Sequence, residues 1–374
     1  MNSLIQSIRK SLFKGLAILF FAGCINNTEP PEMQTIDIKS LKHKAYSVED
    51  MIEEGDVIEF DQKDKILSGG CEIICVNDHG FFILDKNIHK QVLLFNGEGR
   101  YIRPIGKTGA GPGEYSTLND AIFIDDKIEI LSSAGNVRIF EYSLDGQYKS
   151  YKEISIPAAF SFEMDPIHNN YLFYVGHNPA AEGRLLLYDI ESQKIYQSFF
   201  EPNKEMHASE INTFYKNEEG NIYYWEALDN YIYQILPGGR IHKMFYLDWG
   251  NNQPLNEMPF QEFSRIMSTQ EVWIIKNAIV ADDYKLFSIV KSRPGSPPEL
   301  LEILISGNTI YPFKNVSNEN FRISPAQTIR GNKIIYLVEP LNDSFTGDDR
   351  YKEFSGFMFC LKVDIKKLML KLKE

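Results

Sequence analysis

Phe95-Asn96-Gly97-Glu98-Gly99-Arg100-Tyr101 joins the apolar end of one strand to the start of another through a short polar turn, and the same arrangement returns four more times along the chain. The later copies are Tyr142-Ser143-Leu144-Asp145-Gly146-Gln147-Tyr148, Tyr188-Asp189-Ile190-Glu191-Ser192-Gln193-Lys194, Ile235-Leu236-Pro237-Gly238-Gly239-Arg240-Ile241 and Ile303-Leu304-Ile305-Ser306-Gly307-Asn308-Thr309. Their leading residues are separated by 47, 46, 47 and 68 positions. A glycine, or Ser192 in its place, falls four after each leading residue, where a hairpin needs backbone that tolerates positive φ. The longer last interval contains Pro259 to Ile274, whose mixed spacing predicts a short helix inserted between units.

Between these turns the chain runs in strand-length apolar segments, among them Phe81–Leu84, Ile128–Leu131, Leu185–Tyr188 and Ile334–Val338. Several are apolar on both faces, as strands sandwiched between neighbouring sheets must be, and little helical periodicity competes with them. A unit of about 45 residues with about four short strands has the dimension of a propeller blade. The tandem count predicts an all-β, six-bladed β-propeller if the last unit spans Arg322 to Asp364; seven blades and a β-solenoid are the alternatives. Closing the ring needs a strand from the other end of the chain, and Ile36–Ile38 or Val57–Phe60 could supply it.

The densest motif is Gly106-Lys107-Thr108-Gly109-Ala110-Gly111-Pro112-Gly113-Glu114-Tyr115. A phosphate-loop reading fails on spacing, because six residues separate Gly99 from Gly106 where that loop has four, and no helix follows. The segment reads instead as the crossover from the outer strand of one blade to the inner strand of the next. Glu114 and Tyr115 either present a carboxylate and a phenol to a ligand or pin the crossover by capping backbone donors and packing an aromatic ring. The motif, following the Phe95 turn, resembles the six-bladed β-propeller lipoproteins of Gram-negative bacteria, of the NHL/TolB-like group. The resemblance covers roughly Ser47 to Asp364, and it implies architecture and export rather than an activity.

Residues 1–23 have the order of a secretory signal: Arg9, Lys10 and Lys14 precede an apolar run, Leu16 to Ala22, too short for a membrane span. Phe21-Ala22-Gly23-Cys24 resembles a bacterial lipobox, although Phe21 is bulkier than the aliphatic residue usual there. The expected organisation is a signal peptide over 1–23, a lipidated tether over 24–34 beginning at Cys24, and one propeller over 35–374. The chain would then be exported and held in the cell envelope, at the outer membrane, by its N-terminal lipid.

Removing 1–23, which carries three cations and no acid, takes the formal charge from −12 to −15, and no Lys/Arg cluster lies in the body of the chain, so nucleic acid is excluded as a partner. The basic end, Lys362 to Lys373, reads as a solvated amphipathic tail or last strand. Cys71 and Cys75, four apart in a strand, would lie about 13 Å apart, too far for a disulfide. With Cys360 they read as buried thiols. Seven histidines form no close metal pair, and the pairs Asp125/Asp126, Asp282/Asp283 and Asp348/Asp349 read as turns rather than a calcium loop. No cofactor is expected, with a divalent metal gathered from several blades left open. The run Tyr223-Tyr224-Trp225 with Tyr231 and Tyr233 is core between blades or a platform for sugars. These features predict a non-catalytic module for a protein or carbohydrate ligand; the alternative is a metal-dependent hydrolase or lyase on the same scaffold.

Overall fold

Alternating apolar side chains send each strand's two faces into different clusters, and this alternation builds the molecule. In Gly80–Asp85, Phe81 and Ile83 meet Ile335, Leu337 and Cys360, whereas Phe82 and Leu84 meet Ile128, Ile130 and Phe140. Six such clusters occur, each between two successive sheets, and the sixth joins the last sheet to the first. The result is a ring of six sheets, a six-bladed β-propeller. The computed structural model describes residues 31–61, 67, 69–165, 167–206, 213–250, 254–317, 320–341 and 358–373. Cys24 and most of the expected tether lie outside these residues. Met33–Glu374 forms one compact unit.

Blade 1 comprises Glu72–Asn77, Gly80–Asp85, Gln91–Phe95 and Tyr101–Ile105; blade 2 Asp120–Ile124, Lys127–Ser132, Val137–Ser143 and Tyr148–Ile154; blade 3 Ser161–Asp165, Asn170–Tyr174, Leu185–Asp189 and Lys194–Phe199. Blade 4 comprises Phe214–Lys216, Ile222–Trp225, Tyr231–Leu236 and Arg240–Asp248, and blade 5 Val272–Val280, Tyr284–Ser292, Glu299–Ser306 and Thr309–Val316. Blade 6 has Phe321–Ile323 and Thr328–Arg330, both paired with Lys333–Pro340, then Phe359–Asp364. The five sequence repeats are the hairpins between third and fourth strands of blades 1 to 5. Gly99, Gly146, Gly239 and Gly307 carry positive φ there; in blade 3 the positive φ falls on Gln193, one residue past Ser192.

No sixth copy of the turn exists because the fourth strand of blade 6 comes from the N-terminal side. Asp56–Glu59 pairs antiparallel with Phe359–Asp364, so the Val57–Phe60 candidate closes the ring. The other candidate does something else: Gln34–Asp37 adds in parallel to the outer strand of blade 4, and Lys44–Ser47 does the same on blade 5. Residues 34–59 thus run along the rim of three blades and cover otherwise open sheet edges. Helix α1 (Val48–Glu54), started by a Ser47/Asp50 capping box, carries the chain from blade 5 to blade 6.

Helix α2 (Phe260–Thr269) is the insertion predicted between blades 4 and 5. The basic tail is both strand and helix: after Phe359–Asp364 comes α3 (Ile365–Lys373), which buries Ile365 and Leu368. Lys371 reaches Asp50 and Glu54 of α1, each at 2.8 Å, and its carbonyl accepts from Lys44 Nζ at 2.7 Å, so the end of the chain clasps the rim segment.

Candidate ligand site at the channel mouth

The glycine-rich motif forms the crossover from blade 1 to blade 2, and its polar groups are spent within it or on the adjoining blades, Thr108 and Tyr115 both donating to the Lys90 carbonyl. Gly109 N–H donates to the Tyr115 carbonyl (2.9 Å) and Tyr115 N–H to that of Lys107 (3.1 Å). The Tyr115 ring is wholly buried, and its hydroxyl donates to the Lys90 carbonyl at 2.8 Å. Glu114 accepts from Lys107 Nζ at 2.8 Å and from Gly111 N–H at 2.9 Å, and these two donors hold its carboxyl below the ordinary range. Close approach explains the glycines. A Cβ on Gly109 would stand 1.9 Å from a Glu114 carboxylate oxygen, and one on Gly106 would stand 2.7 Å from the Tyr115 ring. At Gly113, φ is +75° and a Cβ would lie 2.5 Å from the Tyr148 ring. Pro112 completes the exposed tip of this turn. None of the residues from Gly106 to Tyr115 lines a cavity described below.

The first strand of each blade faces the ring's axis and bounds a channel of about 670 Å³ to which all six blades contribute, through Ile74, Phe123, Glu163, Lys216, Asn277 and Arg330 among others. Polar side chains on these strands lace neighbouring blades together. Gln327 Oε1 accepts from Ile73 N–H (2.9 Å), and the Ser161 and Thr213 hydroxyls meet at 2.8 Å. Asp120 accepts from its neighbour Ala121 (2.9 Å) and from Phe162 N–H in blade 3 (3.0 Å). Asn277 likewise accepts from Ala278 (2.9 Å) but donates to the Ala326 carbonyl in blade 6 (2.7 Å). Asp120 and Asn277 each suit their partner, the acid meeting an N–H of the next blade and the amide NH₂ meeting a C=O. Burial pushes the Asp120 carboxyl up to about 7. Toward one end, Lys216 pairs with Glu163 at 2.6 Å and Arg330 with Glu218 at 2.7 Å.

At the mouth, where the inner strands begin, a cavity of about 710 Å³ opens between blades 6 and 1. A second cavity of about 720 Å³ lies over blades 5 and 6, and the two share Lys276, Arg322, Ile323 and Pro325. Lys276 is the extra residue of a β-bulge: Ile275 opposes Ile289 and Asn277 opposes Ser288, leaving Lys276 without a cross-strand partner position. Bulges of this kind re-aim a side chain. The two acids at the mouth are engaged, Glu72 lying 3.5 Å from Lys86 while Glu339 accepts from Gly69 N–H (2.8 Å) and lies 3.3 Å from Arg322.

Other expected sites are placed as follows. Cys71 and Cys360 are buried as expected, whereas Cys75, on the inner strand of blade 1, is only partly buried. Among the described residues no group of three or more His, Cys, Asp or Glu is arranged to hold a metal; His207, Asp348 and Asp349 lie outside them. Asp125 and Asp126 form a turn with positive φ. Tyr223, Tyr224, Trp225 and Tyr233 are buried between blades, so that run is core. Sequence reasoning missed a buried ion pair: Arg184 donates to Glu226 at 2.9 Å, and Glu226 also accepts from Tyr224 (2.7 Å) and Asn256 (2.9 Å). It missed Lys276 as well.

Ring, channel and mouth define a six-bladed β-propeller with a cavity at the axial entrance. Residues 33–342 match the family described as "Domain of unknown function (DUF4934)", and the chain belongs to it. No curated protein matches the chain. Among solved structures it is similar to a Bacteroides fragilis protein named "Putative exported protein", at 14% identity and a TM-score of 0.63 over 88% of this chain and 99% of that one. It also matches Agrobacterium tumefaciens regucalcin, a calcium-binding protein, at 14% identity and TM-score 0.43 over 86% and 96% of the two chains. A Staphylococcus aureus virginiamycin B lyase matches at 12% and 0.40, over 83% of this chain and 100% of that one. The first of these supports the propeller fold; the other two are too distant to add to it.

Proposed function

We propose that this protein is an exported, lipid-anchored propeller of the cell envelope that binds a ligand at the channel mouth without transforming it. The observation that carries the reading is the pair of joined cavities at the mouth, whose combined space suits a small molecule. Around it the amides of Asn277 and Gln327 are held by blade-to-blade hydrogen bonds, and the acids Glu72 and Glu339 by cations. Those acids are poorly placed to act as general bases, which favours retention over chemistry. Export and anchoring rest on the signal-like residues 1–23 and Cys24, and are in keeping with the exported character named for the Bacteroides fragilis protein.

Two experiments test the two halves. Replacing Cys24 by Ala in a Gram-negative host should move the protein from the membrane to the soluble envelope fraction; unchanged membrane association would remove the anchor. Equilibrium dialysis of the purified protein against a small-molecule extract of envelope, read by mass spectrometry, should retain a compound at one per chain. An extract returned unchanged would end the ligand reading.

A further inference from the structure

The groove over blades 5 and 6 is cationic on a protein whose formal charge is −12. Its walls carry Lys276, Lys291, Arg293, Lys314 and Arg322. Four of these have carboxylate partners: Lys291 and Arg293 share Glu271, Lys314 lies 2.7 Å from Glu299, and Arg322 lies 3.3 Å from Glu339. Lys276 has no hydrogen-bond or ion-pair partner among the described residues, and of the two cations that line both cavities, Lys276 and Arg322, it is the one without a carboxylate partner there. The bulge holds it there by geometry, since a regular strand would have turned position 276 into the ladder's alternation.

The walls decide the rest of the ligand. The chain has 25 Phe, 20 Tyr and 3 Trp, but none of the described residues that line either cavity is aromatic. Apolar surface is supplied by aliphatic groups, Ile73, Leu337 and Met358 at the mouth and Val290, Pro297 and Leu300 in the groove. The described walls offer a sugar ring no π-face on which to stack. An aliphatic body would be desolvated against these walls, with its head group beside the ammonium.

We propose that the ligand is an aliphatic carboxylate or another small anion with an aliphatic body, and that Lys276 is the residue that binds its head group. The inference rests on reading the mouth as a ligand site and adds the ligand's chemical class.

The test is calorimetric titration of the full protein with octanoate and with 1-octanol. Octanoate should bind saturably, and 1-octanol at least about tenfold more weakly, the difference made by a charge-assisted hydrogen bond. Lys276→Gln should weaken octanoate by about the same factor and leave 1-octanol unchanged, while Lys276→Arg restores most of the affinity. Lys366→Gln, the same charge change at an exposed position on α3, should do nothing. Equal affinity for the two probes, an unaltered Lys276→Gln titration, or no saturable octanoate binding overturns the proposal. An uncharged envelope compound retained equally by wild type and Lys276→Gln would overturn this inference while leaving the mouth as a ligand site; retention of nothing would remove the site itself.

Discussion

Glu302 is fully buried between blades 5 and 6, where its carboxylate oxygens accept from Ser288 Oγ (2.7 Å), Asn315 Nδ2 (3.2 Å) and Ala326 N–H (3.3 Å). Burial pushes its carboxyl from the ordinary 4.5 up to about 8. A carboxyl whose pKa is higher folded than unfolded stabilises the native state fully below the unfolded value, and that contribution is lost as pH rises toward the folded value. The span of about 3.5 pH units corresponds to a ceiling of about 5 kcal/mol, of which about 3 kcal/mol has gone by pH 7. Glu302→Gln keeps an oxygen for Asn315 and Ala326 and sets an NH₂ group against Ser288, whose hydroxyl can turn to accept. The variant should match wild type near pH 4 and exceed it in stability by about 3 kcal/mol at pH 7. Urea unfolding at four pH values from 4 to 8 reads this directly. A difference that stays constant with pH, or shrinks as pH rises, would refute the reasoning. Asp120 and Asp229, each raised to about 7 by burial, act in the same sense, so the wild type itself should lose stability between about pH 4 and 8.

Gly113→Ala should destabilise by about 1–3 kcal/mol, because it combines positive φ with a clash against Tyr148; Gly135→Ala, with positive φ in open space, should have the smaller effect, as paired urea melts would show. Arg184→Met leaves Glu226 buried beside Tyr224 and Asn256 without its cation, an expected loss of about 3–5 kcal/mol. Adding Glu226→Gln should recover much of that loss, and a double mutant no more stable than the single would contradict the pairing.

The propeller was legible because its repeat is local: every third-to-fourth strand hairpin carries the same turn, and the apolar runs need only period two to face two neighbours. The closing strand was legible as one of two candidates. Choosing between them required knowing that the intervening residues 38–54 step from blade to blade through a 3₁₀ turn and α1. The motif loop's two roles could not be separated from composition, since a carboxylate that caps its own loop and one that meets a ligand have the same letters. Lys276 left a trace that went unread. Trp273 and Ile275 face blade 4 two apart, but the next residue on that face is Ala278, three further on, and this slip of phase marks the bulge. The Arg184–Glu226 pair left none, because its members lie 42 residues apart and meet only when blades 3 and 4 do.

The central claim is that the mouth of the channel is the functional surface, and amide hydrogen exchange of the protein with and without its retained envelope compound tests it most directly. Protection should appear in the segments around Gly69–Ile73, Lys276–Asn277 and Arg322–Gln327, with the glycine-rich loop Gly106–Tyr115 unaffected. Protection confined to that loop or to the outer rim, with the mouth unchanged, would contradict the account.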